Sequence, residues 1–173
     1  LISDIALTKQ DAPEVIGEFA KRKAKGVEIL YFDHHIIPKT VTRAQVSRSL
    51  TKYCHTTKES ASEIIYKYYM GNVPRERVWL AIYGAIGDYS DQTPFVQKRL
   101  LNWDRRALYF EVSTITLGIK NEQFAEYSGK RRIVKALAKG DNPSDVQGLV
   151  KSAKEAVNRE FDLYDMIKTK AEL

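Results

Sequence analysis

The sequence has almost no cysteine. Cys54 is the one thiol, so no disulfide can close within the chain, and a reducing, cytoplasmic compartment is the default expectation. No apolar run approaches the roughly 18 residues a spanning helix needs, which excludes a transmembrane segment. Five prolines and nine glycines leave no collagen-like or low-complexity stretch, and no repeat is visible. There is no strong excess of one charge. Lys and Arg number 28 against 22 Asp and Glu, a formal +6, divided as +3 over residues 1–90 and +3 over residues 91–173. Such a balance permits a phosphate-rich partner without identifying one. Histidine is scarce, at three. What is present, 43% hydrophobic and 29% charged residues in 19.8 kDa, suits one compact domain with an appendage and rules out a disordered tail. The chain opens on Leu1-Ile2-Ser3-Asp4-Ile5-Ala6-Leu7, with no initiator Met, signal peptide or basic targeting arm. A strand-like run at the first residue is what an excised fragment, or a chain missing its upstream part, would show.

Residues 1–7 read as a buried strand interrupted by Asp4. Asp11, Ala12 and Pro13 predict a helix entry with Asp11 as N-cap, Val15, Ile16, Phe19 and Ala20 forming one face and Gly26 the stop. Val27 to Phe32 predicts a second buried strand running into Asp33-His34-His35. Strand, helix and strand over about 30 residues make a βαβ unit with parallel pairing. In such sheets ligands collect beyond the carboxyl ends of the strands. A polar stretch follows Pro38, with a short strand around Leu50–Thr56, then a helix from Glu59 to Met70 stopped by Gly71-Asn72. Pro74 opens another helix with Val78, Ala81, Ile82, Ala85 and Ile86 on its apolar side, ending in Gly87-Asp88-Tyr89-Ser90-Asp91. Beyond Pro94 the pattern is helical over 95–103, 105–118, 121–127 and 130–139. It breaks at 141–145 and continues as one charged amphipathic helix over 146–171. The expected fold is α/β, a parallel-sheet core with helices on both faces over 1–95, followed by a helical extension over 96–145 and a long connector helix over 146–173.

Two of the three histidines are adjacent and follow an aspartate. On a strand, neighbours point to opposite faces, so His34 and His35 can share one metal only if the strand has ended. A division of labour is the simpler expectation, one histidine binding metal and the other meeting substrate. Asp4 lies in the neighbouring strand, and a charge within a buried strand needs a partner. Asp88 follows the small-residue run Gly84-Ala85-Ile86-Gly87, which lets a carboxylate approach a crowded site, with Asp91 as the competing candidate. Carboxylate and imidazole donors together suit Mn²⁺, Zn²⁺ or Fe²⁺ better than Ca²⁺. Cys54 and His55 are given no role. Lys130, Arg131, Arg132, Lys135 and Lys139 form a basic cluster in which Arg131, Lys135 and Lys139 share a helical face. Its plain reading is a solvated surface, and its functional reading is a phosphate track for single-stranded nucleic acid. Tyr66, Tyr68, Tyr69, Trp79 and Tyr83 are expected in the helical core rather than as base-stacking platforms.

Phe32-Asp33-His34-His35 followed by Pro38 resembles the signature of the DHH phosphoesterases, a superfamily that includes RecJ-type exonucleases, nanoRNases, cyclic-dinucleotide phosphodiesterases and family II inorganic pyrophosphatases. Asp4 is similar to that family's second-motif aspartate. The segment Ser60-Ala61-Ser62-Glu63-Ile64-Ile65-Tyr66 is similar to the opening of the helix after the DHH turn, and Gly84-Ala85-Ile86-Gly87-Asp88 is similar to the fourth motif. The resemblance covers residues 1–95. It implies that Asp4 bridges two divalent metals, that His34 and Asp88 complete one of them, that His35 contacts the substrate phosphate, and that Asp33 orients a histidine. The implied cofactor is Mn²⁺, with Mg²⁺ as the alternative, and the implied chemistry is in-line hydrolysis of a phosphodiester. A strand upstream of Asp4 carrying the first motif and a C-terminal glycine-rich substrate domain are not found, so the chain reads as the middle of an enzyme, weak in metal binding and nearly inactive alone. The favoured substrate is the end of a single-stranded nucleic acid. The alternatives are a small phosphate ester (pyrophosphate, polyphosphate, a nucleotide bisphosphate or a cyclic dinucleotide) and a non-catalytic nucleic-acid or partner-binding module.

Overall fold

The computed structural model describes residues 1–171 and divides into two compact units, Leu1–Lys98 and Arg99–Leu173. The first is an α/β unit. Its chain runs β1 (Ile2–Ser3), α1 (Ala12–Ala24), β2 (Leu30–Asp33), α2 (Arg43–Ser49), β3 (Lys52–His55), α3 (Ala61–Tyr69), a 3₁₀ turn (Arg75–Arg77) and α4 (Val78–Gly87), before α5 (Pro94–Leu100) carries it onward. The three strands pair in the order β1-β2-β3, all parallel, with Ser3 beside Phe32 and Asp33 beside His55. Parallel neighbours need a crossover, and α1 and α2 supply the two. Crossovers of one hand that advance in one direction place both helices on the same face. Accordingly Ala12, Ile16 and Phe19 of α1 and Val46 of α2 share one core with Ile29 and Tyr31. Tyr31 and Phe32 are consecutive and point to opposite faces. Phe32, fully buried, meets Tyr68 and Tyr69 of α3, with ring centroids 5.1 and 6.1 Å apart. Helices therefore cover both faces of the sheet.

The helices α3 and α4 pack at close range. A Cβ on Gly84 would overlap the side chain of Ser62, so glycine on one helix and serine on the other set their separation. Glu63, fully buried, is held by Lys67 at 2.7 Å and by the hydroxyl of Thr93 at 2.8 Å, which ties α3 to the segment after α4. Lys67 also meets Glu59 at 3.0 Å.

Several elements differ from their sequence expectations. The first strand is two residues long rather than seven, because Asp4 adopts a left-handed backbone (φ 56°) that ends the extended run. The amide of Asp4 still donates to the Phe32 carbonyl at 3.0 Å, so the residue stays anchored to the sheet. The second strand begins three residues later than expected and takes in Asp33. Asp11 is the N-cap residue of α1 as expected, but its side chain makes no capping bond, because its carboxylate accepts from the Thr8 hydroxyl instead. The polar stretch after Pro38 holds α2, started by a reciprocal capping box between Thr42 and Gln45. The helix expected from Pro74 begins as a 3₁₀ turn and becomes α-helical at Val78. Tyr68, expected in the core, is half exposed beneath the Lys52 ammonium.

The second unit contains α6 (Arg105–Gly118), α7 (Glu122–Ala125), α8 (Tyr127–Lys139), a 3₁₀ turn (Pro143–Asp145) and α9 (Leu149–Ala171). Phe124, Ile133, Val146 and Leu149 form its core. Gly118 has no room for a side chain against Leu149, which lets α6 and α9 lie together. The later turns of α9 leave Phe161, Leu163, Tyr164, Met166 and Ile167 exposed.

Candidate metal centre

β2 ends at Asp33, so the two histidines after it leave the strand's alternation, and both rings lie on the same side, with centroids 4.7 Å apart. Asp4 follows β1 by one residue, and its left-handed backbone turns the carboxylate back across the sheet end. Asp88 follows the last residue of α4. Three distant stretches of chain thus converge beyond the carboxyl ends of the first two strands.

The nitrogen at the centre is His34 Nε2. Asp4 Oδ1 lies 3.2 Å from it and Asp88 Oδ2 lies 3.1 Å from it. An imidazole nitrogen carries at most one proton, yet two carboxylates face it. Donors each bonded at about 2.1 Å to one ion, at angles between right and tetrahedral, lie about 3.0–3.4 Å apart. Both separations fall within that range. The chemistry of the set, two carboxylates and an imidazole, also fits a divalent transition metal. Among the described residues, the group whose donor atoms all lie within 4.8 Å of one another is Asp4, His34 and His35; Asp88 is outside that group and meets the cluster through His34.

His35 is held differently. Its Nδ1 lies 2.8 Å from Asp33 Oδ1 and 4.0 Å from Asp4 Oδ1. An ionised carboxylate only accepts, so Nδ1 carries the proton and Nε2 is the nitrogen left over. The hydrogen bond that its Nδ1–H donates to Asp33 holds the His35 pKa above its ordinary value, against a smaller opposing effect of burial. Asp33 is 4% exposed and lies 3.5 Å from the Tyr31 hydroxyl, which donates to the Ile5 carbonyl. Burial pushes the Asp88 carboxyl up; His34 pulls it down and the Asp4 charge pushes it further up. Negative charge crowded at a partly buried point is the electrostatic setting a cation relieves.

Of the residues the sequence singles out, Asp4, Asp33, His34, His35 and Asp88 are brought together. Asp91 is not part of the cluster, and its carboxylate accepts from Gln92 at 3.2 Å. Arg131, Lys135 and Lys139 lie exposed along α8 in the second unit. Arg132 has a structural engagement, donating to the Gln147 carbonyl at 3.0 Å and covering the Phe124 ring. His55 is the residue the sequence reading passed over. Its Nε2 donates to the His35 carbonyl at 2.6 Å, and its own carbonyl accepts from Arg43 at 3.0 Å, so β3 fastens the histidine loop. The signal was the register: a third parallel strand ending beside Asp33 puts its last residue next to that loop. The small residues of the 84–87 run also act differently from expectation, since Gly84 makes room for Ser62 rather than for the carboxylate. Burial raises the Cys54 thiol, consistent with an inert side chain.

No protein-family model, no curated protein and no solved structure matches this chain.

Proposed function

We propose that the chain carries the metal-binding part of a DHH-type phosphoesterase, which hydrolyses phosphodiester bonds with Mn²⁺ and acts on single-stranded nucleic acid. The observation that supports this most is His34 Nε2 between the Asp4 and Asp88 carboxylates at 3.2 and 3.1 Å. In this reading Asp4, His34 and Asp88 hold one cation. A bound divalent cation there would make water available as a nucleophile near neutral pH and offset charge building on the phosphoryl oxygens. His35, with its Nδ1–H held on Asp33, presents Nε2 to a phosphate oxygen, and in the protonated imidazolium form that Asp33 favours it donates there a hydrogen bond that strengthens as charge develops. His55 keeps the His35 backbone in place. Asp33 excludes the competing tautomer.

Three protein donors bind an ion loosely, so Mn²⁺ titrated calorimetrically into the whole chain is expected to show one weak site, lost in His34→Ala and Asp88→Asn. Labelled oligonucleotides and pyrophosphate, each incubated with the chain and Mn²⁺, separate a nuclease from a small-molecule hydrolase. Absence of Mn²⁺ binding, or binding untouched by both substitutions, overturns the proposal.

A further inference from the structure

The loop after β3 and the loop after α4 leave the same end of the first unit as the metal cluster. Between them lies a cavity of about 500 Å³, lined among others by Thr57, Lys58, Tyr89, Ser90 and Gln92. That volume is within the roughly 300–1,000 Å³ range of small-molecule sites. Tyr89 is the residue next to Asp88, and its side chain is 95% exposed, an unusual state for a large aromatic ring. Its backbone is left-handed (φ 52°), a conformation that costs energy for any side chain with a Cβ. The position is nevertheless fixed. The Tyr89 amide donates to Ile86 at 3.1 Å and the Ser90 amide to Ala85 at 2.8 Å, both off the end of α4. The same loop is anchored again at its far end, through the Thr93 hydroxyl on buried Glu63. Glu59 also lines the cavity, but its carboxylate is engaged by Lys67, while Lys58 is exposed at the rim.

We propose that this cavity is a nucleoside subsite, in which the Tyr89 ring stacks on a base and Lys58 meets the neighbouring phosphate. It rests on the phosphoesterase reading and narrows it, because an exposed ring on an anchored stretch of backbone beside Asp88 gives an advantage to a substrate that carries a base. Pyrophosphate and polyphosphate have nothing for it to stack on. Base–aromatic stacking is sequence-tolerant, which suits a single-stranded end of mixed composition.

The test uses the whole chain in EDTA, so that no turnover occurs, and follows fluorescence polarisation of a labelled tetrathymidylate and of an abasic tetramer with the same phosphates. The base-bearing probe is expected to bind about 5- to 150-fold more tightly through one stacked base. Tyr89→Ala erases that difference and leaves the abasic probe unchanged, Tyr89→Trp retains it, and Lys58→Ala weakens both probes alike. Tyr89→Gly relieves the left-handed backbone, so it erases the difference with an unchanged or higher Tm, which separates lost stacking from lost folding. Equal affinity for the two probes, or a difference that survives Tyr89→Ala, overturns the subsite. Failure of the metal reading registers separately, as no Mn²⁺ heat, whatever the probes show.

Discussion

At the scale of single residues, the cluster depends on side chains whose roles are set by what they touch. Asp33 is buried, yet its visible work is to fix the His35 tautomer. Partners that orient a functional histidine typically contribute 10–100-fold. If the proposed function holds, Asp33→Asn is expected to lower phosphodiester hydrolysis by about that factor, with Mn²⁺ affinity changed less than in His34→Ala. Parallel calorimetry and rate measurements check it. The two tyrosines behind the cluster make a separate prediction. Burial pushes the Tyr53 phenol up to about 12, and Tyr31 is raised beyond that. Above pH 10 the unfolded chain loses these protons while the folded one keeps them, so the unfolded state binds fewer. Stability then falls with rising pH, by at most about 1.4 kcal/mol per pH unit for each phenol. Their stabilising contribution is complete below pH 10 and is lost for Tyr53 as pH climbs through 12. Urea unfolding at pH 9, 10 and 11 is expected to show a falling midpoint, and Tyr53→Phe a shallower fall.

At the scale of elements, the two-helix contact of α3 with α4 positions the Asp88 end of the site. Gly84→Ala forces a methyl into Ser62, and overpacking of this kind costs about 1–3 kcal/mol. Thermal unfolding is expected to show a lower Tm, largely restored by Ser62→Gly in the same chain. The element level is also where the sequence was most and least legible. Apolar spacing places α1, α3 and α6 close to their bounds and α4 at its end, because a helix that buries one face writes a period into its residues. The helix α2 was missed although Thr42 and Gln45 carry its capping signal, since the segment is short and its apolar positions are few. The end of β1 was not legible, because nothing in Ser3-Asp4-Ile5 states that Asp4 turns left-handed; that follows from its anchoring to Phe32.

At the scale of the whole molecule, sheet order decides which residues meet. Asp33, His34 and His35 advertise themselves by adjacency, and Asp4 and Asp88 follow from strand and helix ends. The part played by His55 depends on a register that only the assembled sheet supplies. The second unit carries its own marker, the exposed Arg131, Lys135 and Lys139 along α8. Should they track a nucleic-acid backbone, reversing the charge of Arg131 and Lys135 together lowers oligonucleotide affinity and flattens its dependence on salt, by a slope of about 0.7 per lost phosphate contact. Titrations at 50 and 200 mM salt check it, and an unchanged slope leaves the face as solubilising surface.

The contact between Gly84 and Ser62 lies on the flank of α4, yet it governs how far the helix that ends beside Asp88 stands from its neighbour. If Asp4, His34 and Asp88 hold a cation as proposed, a methyl added there would resize the opening between their donor atoms without altering any of them. Preference between ions of different radius would then be adjustable from a distance, through the gauge of two packed rods rather than through the donors themselves.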